Sequence, residues 1–263
     1  MFRARRRITM ALSAGVLAAT ATATMGAGAV AVAGTGAAAA APAQADPRSG
    51  PSSGAGPAST SGTRDRGFQD CPALSELPPG ADPARWRCEA MTAVGRLTLG
   101  RIDVEVPADR PLAITFAEGT VDGEFRQVFG AMAATPLRVR GTPLSITPRY
   151  GGYSDFESND ERRGELDLTF RIAGPGVPPG CSIGSAADPV RLVLLETDPP
   201  KVVTPDPLVV TFGVADNRFA VPGTSGCGPL GPVLDRALCL PSPAGANGLD
   251  LDARVAMRSY GEV

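Results

Sequence analysis

The run Leu166-Asp167-Leu168-Thr169-Phe170-Arg171-Ile172 places an apolar residue at every second position. That period fits a strand with one buried and one wet face, and it does not fit a helix. The same alternation recurs in Ile102-Asp103-Val104-Glu105-Val106 and in Leu137-Arg138-Val139-Arg140. Further short strand-like runs lie within residues 92–106, 112–118, 125–131, 144–146, 190–195, 208–212 and 249–257, and Asp122-Gly123 between two of them is a hairpin-turn pair. The 32 Gly and 26 Pro are too many for a helical bundle. The pattern predicts an all-β fold, an antiparallel β-sandwich of about nine strands. At most one short helix is expected, over 232–238 with proline in its first turn.

The N-terminus has a different composition. Arg3, Arg5, Arg6 and Arg7 precede an uncharged stretch from Met10 to Ala43 rich in Ala, Gly, Val and Thr, and Ala43-Gln44-Ala45 forms an A-x-A cleavage signal. Residues 1–45 therefore read as a signal peptide. An uncleaved anchor is the alternative, but Ala, Gly and Thr make a weak membrane span. Arg6-Arg7 would suit twin-arginine export, yet Thr9 stands where an aromatic or Leu is usual, which favours general secretion. Residues 46–67 read as a disordered Gly/Ser/Pro/Ala linker, and 68–263 as the folded domain. All 27 acidic residues lie at or after Asp46, against 21 basic ones there, a net charge of −6. This argues against nucleic acid and against an anionic membrane as partners.

Composition also removes much of catalysis. The chain has no histidine, and Lys201 is its one lysine. Ser-His-Asp and Cys-His hydrolysis and His-ligated metals are thereby excluded. Gly180-Cys181-Ser182-Ile183-Gly184 matches G-x-S-x-G, but without a histidine base the match is chance. Asp103 with Glu105, and Glu165 with Asp167, form carboxylate pairs about 6–7 Å apart along a strand. Glycosidases use such separations across a cleft, but solvated strand faces give the same pattern by default.

Five cysteines, Cys71, Cys88, Cys181, Cys227 and Cys239, suit an oxidising compartment, with one thiol left over. Cys71 and Cys88 bracket a Pro-rich segment and are expected to pair. The other three allow Cys181–Cys227 or Cys227–Cys239. Residues 219–253 carry Phe219-Ala-Val-Pro-Gly, Gly226-Cys227-Gly228 and Leu240-Pro241-Ser242-Pro243-Ala244-Gly245 followed by Asn247, with Cys181-Ser182-Ile183-Gly184-Ser185 upstream. This segment resembles one recurring in actinobacterial secreted proteins of unknown function. The resemblance implies export, a β-rich fold, a Cys181–Cys227 bridge and a free Cys239, which stands where the relatives carry Gly. It implies no activity.

The most unusual stretch is 150–164. Tyr150, Tyr153 and Phe156 stand among Asp155, Glu157, Asn159 and Glu161. The four polar residues alternate like calcium-loop ligands, but the positions that need Gly and Glu hold Asp160 and Leu166. The stretch is expected to be a long connection and the chief candidate ligand surface, for an irregular calcium site or for a sugar stacked on Tyr150, Tyr153 or Phe156, the alternative being a solvated connection whose tyrosines pack on the sandwich edge. No resident cofactor is expected. The chain as a whole reads as a secreted, non-catalytic binder at or outside the cell envelope, with cell-wall glycan or another envelope protein as partner. The alternatives are a carboxylate-dependent hydrolase of an envelope polymer and a structural surface protein.

Overall fold

A computed structural model describes residues 67–159 and 162–262; the expected signal peptide and nearly all of the linker lie outside them. The fold is all-β and antiparallel, with a single short helix among the described residues. The strands are β1 (Trp86–Leu99), β2 (Ile102–Val106), β3 (Leu112–Val121), β4 (Glu124–Ala133), β5 (Leu137–Arg138), β6 (Ser145–Asp155), β7 (Gly164–Ala173), β8 (Ser182–Ile183), β9 (Val190–Pro205), β10 (Leu208–Asp216), β11 (Thr224–Ser225) and β12 (Gly248–Ser259). The helix α1 spans Gly231–Leu238. Asp122 and Gly123, both at positive φ, turn β3 into β4 as the Asp-Gly pair predicts.

Twelve strands form where about nine are expected, and they do not divide into two separate sheets. They hydrogen-bond into one sheet in the order β11-β8-β7-β9-β10-β12-β1-β3-β4, with β2 beside β1 and β6 beside β7. Strand β9 is the hinge of this arrangement. Its first residues, Val190–Leu194, pair with β7, and the stretch from Leu195 to Pro205 pairs with β10. The sheet therefore turns at β9, and its two halves face one shared core in which Leu97, Leu99 and Ile102 join Ile146, Phe170 and Ile172. The remote ends, β4 and β6, meet through side chains. Phe129 stacks on Tyr150 with ring centroids 3.8 Å apart, and Phe116 stacks on Phe156 at 4.7 Å.

One end of this roll is closed. The segment behind the sequence resemblance lies across it. Cys181 and Cys227 are bridged and fully buried, and Leu234 and Leu238 of α1 pack into the core beside them. Asn247, also buried, accepts from Gly100 N at 2.9 Å and donates to the carbonyls of Phe219 and Pro243. The segment thus serves as a plug in which the buried Asn247 amide is fully engaged, as a buried amide requires. A second bridge, Cys71–Cys88, ties the N-terminal segment to the outer face of β1, where Leu77, Trp86 and Ala117 form a small separate cluster. Cys239 is free and exposed. It caps α1 with φ +55°, the left-handed conformation that favours glycine.

Candidate functional site

Inward-facing side chains alternate along each strand. Even positions of β3 (Leu112, Ile114, Phe116) and of β10 (Val210, Phe212, Val214) point the same way as odd positions of β1 (Met91, Ala93) and of β12 (Leu249 to Met257). Toward the plugged end these positions carry Leu97, Leu99, Phe170 and Ile172, which fill the space. Toward the other end they do not meet, and a cavity of about 470 Å³ remains. Its wall is overwhelmingly hydrocarbon. The volume falls within the roughly 300–1,000 Å³ typical of small-molecule sites.

The open end carries the only charged groups of this cavity among the described residues: Arg87, Glu89, Glu118, Glu157 and Arg163. Arg87 on β1 stands directly opposite Glu118 on β3. Its Nε donates to Glu89 at 2.8 Å and to Glu118 at 3.0 Å, so one guanidinium is shared by two carboxyl groups. Gln127 on β4 extends the chain of bonds. Its amide nitrogen donates to Glu118 at 3.1 Å, and its amide oxygen accepts from Phe156 N at 2.8 Å. This relay crosses from β1 to the segment after β6 and ties the seam of the roll at the cavity mouth.

Glu89 is 6 % exposed. Burial, and then the neighbouring Glu118 carboxylate, push its carboxyl up to about 8, with Arg87 pulling the other way. At neutral pH Glu89 is therefore held as the neutral acid beside the Arg87 guanidinium, with its proton shared toward Glu118. Arg163 pairs with Glu196 at the rim, and Glu157 is exposed there.

The stretch 150–164 is placed differently from the expectation. Residues through Asp155 belong to strand β6, so the connection itself is short. Tyr150 and Phe156 turn inward, each half-buried with one ring face laid on Phe129 and Phe116 respectively. Tyr153 is exposed. Asp155 accepts from Arg162 at 2.6 Å and from Glu157 N at 2.9 Å, which occupies both of its oxygens. Asn159 closes a turn with Arg162 through its side-chain oxygen. Asp160 and Glu161 lie outside the described residues. No group of three or more His, Cys, Asp or Glu side chains able to hold a metal occurs among the described residues. What the stretch does supply is Phe156, Glu157 and Ser158, which line the mouth of the cavity.

The carboxylate pairs lie on outer faces. Asp103, Glu105, Asp250 and Asp252 border a shallow polar cleft together with Arg96 and Arg140. Arg96 stands in register between Glu105 and Asp250 and grips Asp103 at 2.7 Å, which lowers the Asp103 carboxyl below its usual range. General-acid catalysis needs the opposite, a carboxyl held protonated near neutral pH. Glu165 pairs with Arg162 at 3.2 Å. Ser182 donates to Gly184 O, and its neighbour Cys181 is bridged, so the G-x-S-x-G match holds no nucleophile.

Arg87, Glu89, Glu118 and Gln127 were not among the expected site residues. A signal for three of them existed: counting back in twos from Leu97 reaches Ala93, Met91, Glu89 and Arg87, and the apolar series Leu112, Ile114, Phe116 ends on Glu118. Charged residues at inward positions of a strand mark either an end of the core or a site. No protein-family model matches this chain, and neither the curated proteins nor the solved structures contain a match to it.

Proposed function

We propose that this protein is an exported, non-catalytic binder that holds a small apolar molecule inside its rolled sheet. The observation that carries this reading is the cavity. Close-packed interiors leave few voids larger than a water molecule, whereas this one keeps about 470 Å³ open behind a polar mouth. Export is supported by the basic, apolar, A-x-A leader and by two disulfides. Among the described residues no helix is long and apolar enough to cross a membrane. Hydrolysis draws less support, because Glu89 and Glu118 come from neighbouring strands and are both bound to Arg87 rather than set across a cleft.

The test is capture of 1-aminoanthracene, a neutral dye small enough for the cavity to hold, by the purified protein. Its emission should rise and shift to the blue, and Ala253→Phe, which puts a ring into the lumen, should abolish the change while the circular dichroism of the sheet is retained. Absence of any dye response in the wild type would remove this function.

A further inference from the structure

Granting that the cavity binds an apolar molecule, the groups at its mouth define which class. We propose that the ligand is a neutral single-chain amphiphile, with its hydrocarbon in the lumen and an uncharged hydroxyl or ester head bonded by the Glu89–Arg87–Glu118 cluster. The cavity discriminates against heads of either charge.

Size comes first. At roughly 30 Å³ for each water-sized group, the cavity of about 470 Å³ holds on the order of fifteen non-hydrogen atoms. That suits one medium-length chain and is too small for two.

Charge comes second. An ionised head withdrawn from water needs a partner of opposite sign, or it costs several kcal/mol. Arg87, the cation at the mouth, is already bonded to Glu89 and Glu118. Arg163 is engaged by Glu196. An anionic head would thus find no free cation and would meet Glu118. A cationic head would meet Arg87 in place, and the exposed Glu157 offers it only a solvent-screened charge. A hydroxyl meets neither obstacle. The buried Glu89 carboxyl shares its proton with Glu118 and keeps lone pairs that can accept from the hydroxyl, and Arg87 keeps N–H groups that its bonds to Glu89 and Glu118 do not use.

The experiment is displacement of 1-aminoanthracene, at pH 7 and below micellar concentrations, by tetradecanol, tetradecanoate and tetradecylammonium, which share one chain and differ in charge. Tetradecanol should displace the dye at least about tenfold more effectively than either ion. Equal displacement by all three would overturn the selection while leaving the cavity reading intact, and a preference for one of the ions would do the same. Failure of the dye to bind at all would remove the cavity reading itself. Two variants then shift the preference in opposite directions. The double change Glu89→Gln with Glu118→Gln leaves Arg87 without a carboxyl partner and should bring tetradecanoate up about tenfold. Arg87→Gln leaves the carboxylate uncompensated and should do the same for tetradecylammonium. Either variant suffices if the other fails to fold, and an unchanged ranking in the folded one would refute the role assigned to the cluster.

Discussion

The ring of Tyr150 lies on that of Phe129, 9° from parallel, although no backbone ladder joins their strands among the described residues. The roll is thus closed at its seam by side chains alone: this stack, the Phe116–Phe156 stack, and the Gln127 bridge from Glu118 to Phe156 N. A seam of this kind can part without breaking a ladder, which leaves a route into the cavity.

Stacked aromatic pairs contribute about 0.5–1.5 kcal/mol beyond their burial. A double-mutant cycle with Phe129→Leu and Tyr150→Leu should therefore show a coupling of that size in denaturant unfolding. Strict additivity of the two changes would mean that the seam does not depend on the stack.

Glu89 gives stability a pH dependence of definite sign. Its folded-state value of about 8 lies above its ordinary 4.5. Between those values the native protein keeps a proton that the unfolded chain has released. Stability is then fully present below about pH 4.5, falls as pH rises toward 8, and levels off beyond. The charged groups facing Glu89 are Arg87 and Glu118; its register partners, Phe116 and Met257, carry no charge. Urea midpoints measured at pH 5 and pH 8 should fall in the wild type and change much less in Glu89→Gln. A wild-type midpoint that rises over this interval would contradict the assignment.

Gly119 lies against the indole of Trp86. A Cβ at this position would stand 2.6 Å from Trp86 Cγ, in a cluster where the ring is almost wholly buried. Gly119→Ala should destabilise the fold by about 1–3 kcal/mol, read from denaturant unfolding and from Trp86 fluorescence. A neutral result would mean that the indole moves aside freely.

The cysteines separate cleanly. Thiol labelling of the unreduced protein should find one reactive group, at Cys239. Cys239→Gly should be as stable as the wild type or more so, since φ is +55° there, whereas Cys239→Val should be less stable. Replacing Cys181 and Cys227 together by alanine should cost about 2–5 kcal/mol. Labelling at Cys181 or Cys227 would contradict the bridge.

Wherever a strand has one buried face, its existence was written in the sequence. The alternation in β2 and β7, the Asp-Gly turn and the proline-led helix α1 all follow from local chemistry, because period-2 burial and turn geometry act over a few residues. Most of the parts missed have little or no buried face; the exception is the start of β1, where Trp86, Cys88 and Glu89 are buried but Arg87 and Glu89 interrupt the apolar series. The second half of β9 is solvent-exposed and contains Pro199 and Pro200, and the last residues of β6 are rich in glycine. The two-residue strands β8 and β11 have no pattern to read. That the sheet folds back at β9 so that its two halves share one core depends on β9 changing partners midway, a long-range pairing that no local pattern encodes. The site depended on the same long-range event. Tyr150 and Phe156 looked like an exposed platform because aromatic residues beside carboxylates carry no sign of which way they face. The burial of Glu89 likewise came from strands distant in sequence closing around it. Sequence alone determined which residues alternate and turn, and left open which of Cys181, Cys227 and Cys239 are bridged. The tertiary structure decided which faces came together, because the cavity and its mouth exist only where inward positions of separate strands fail to meet.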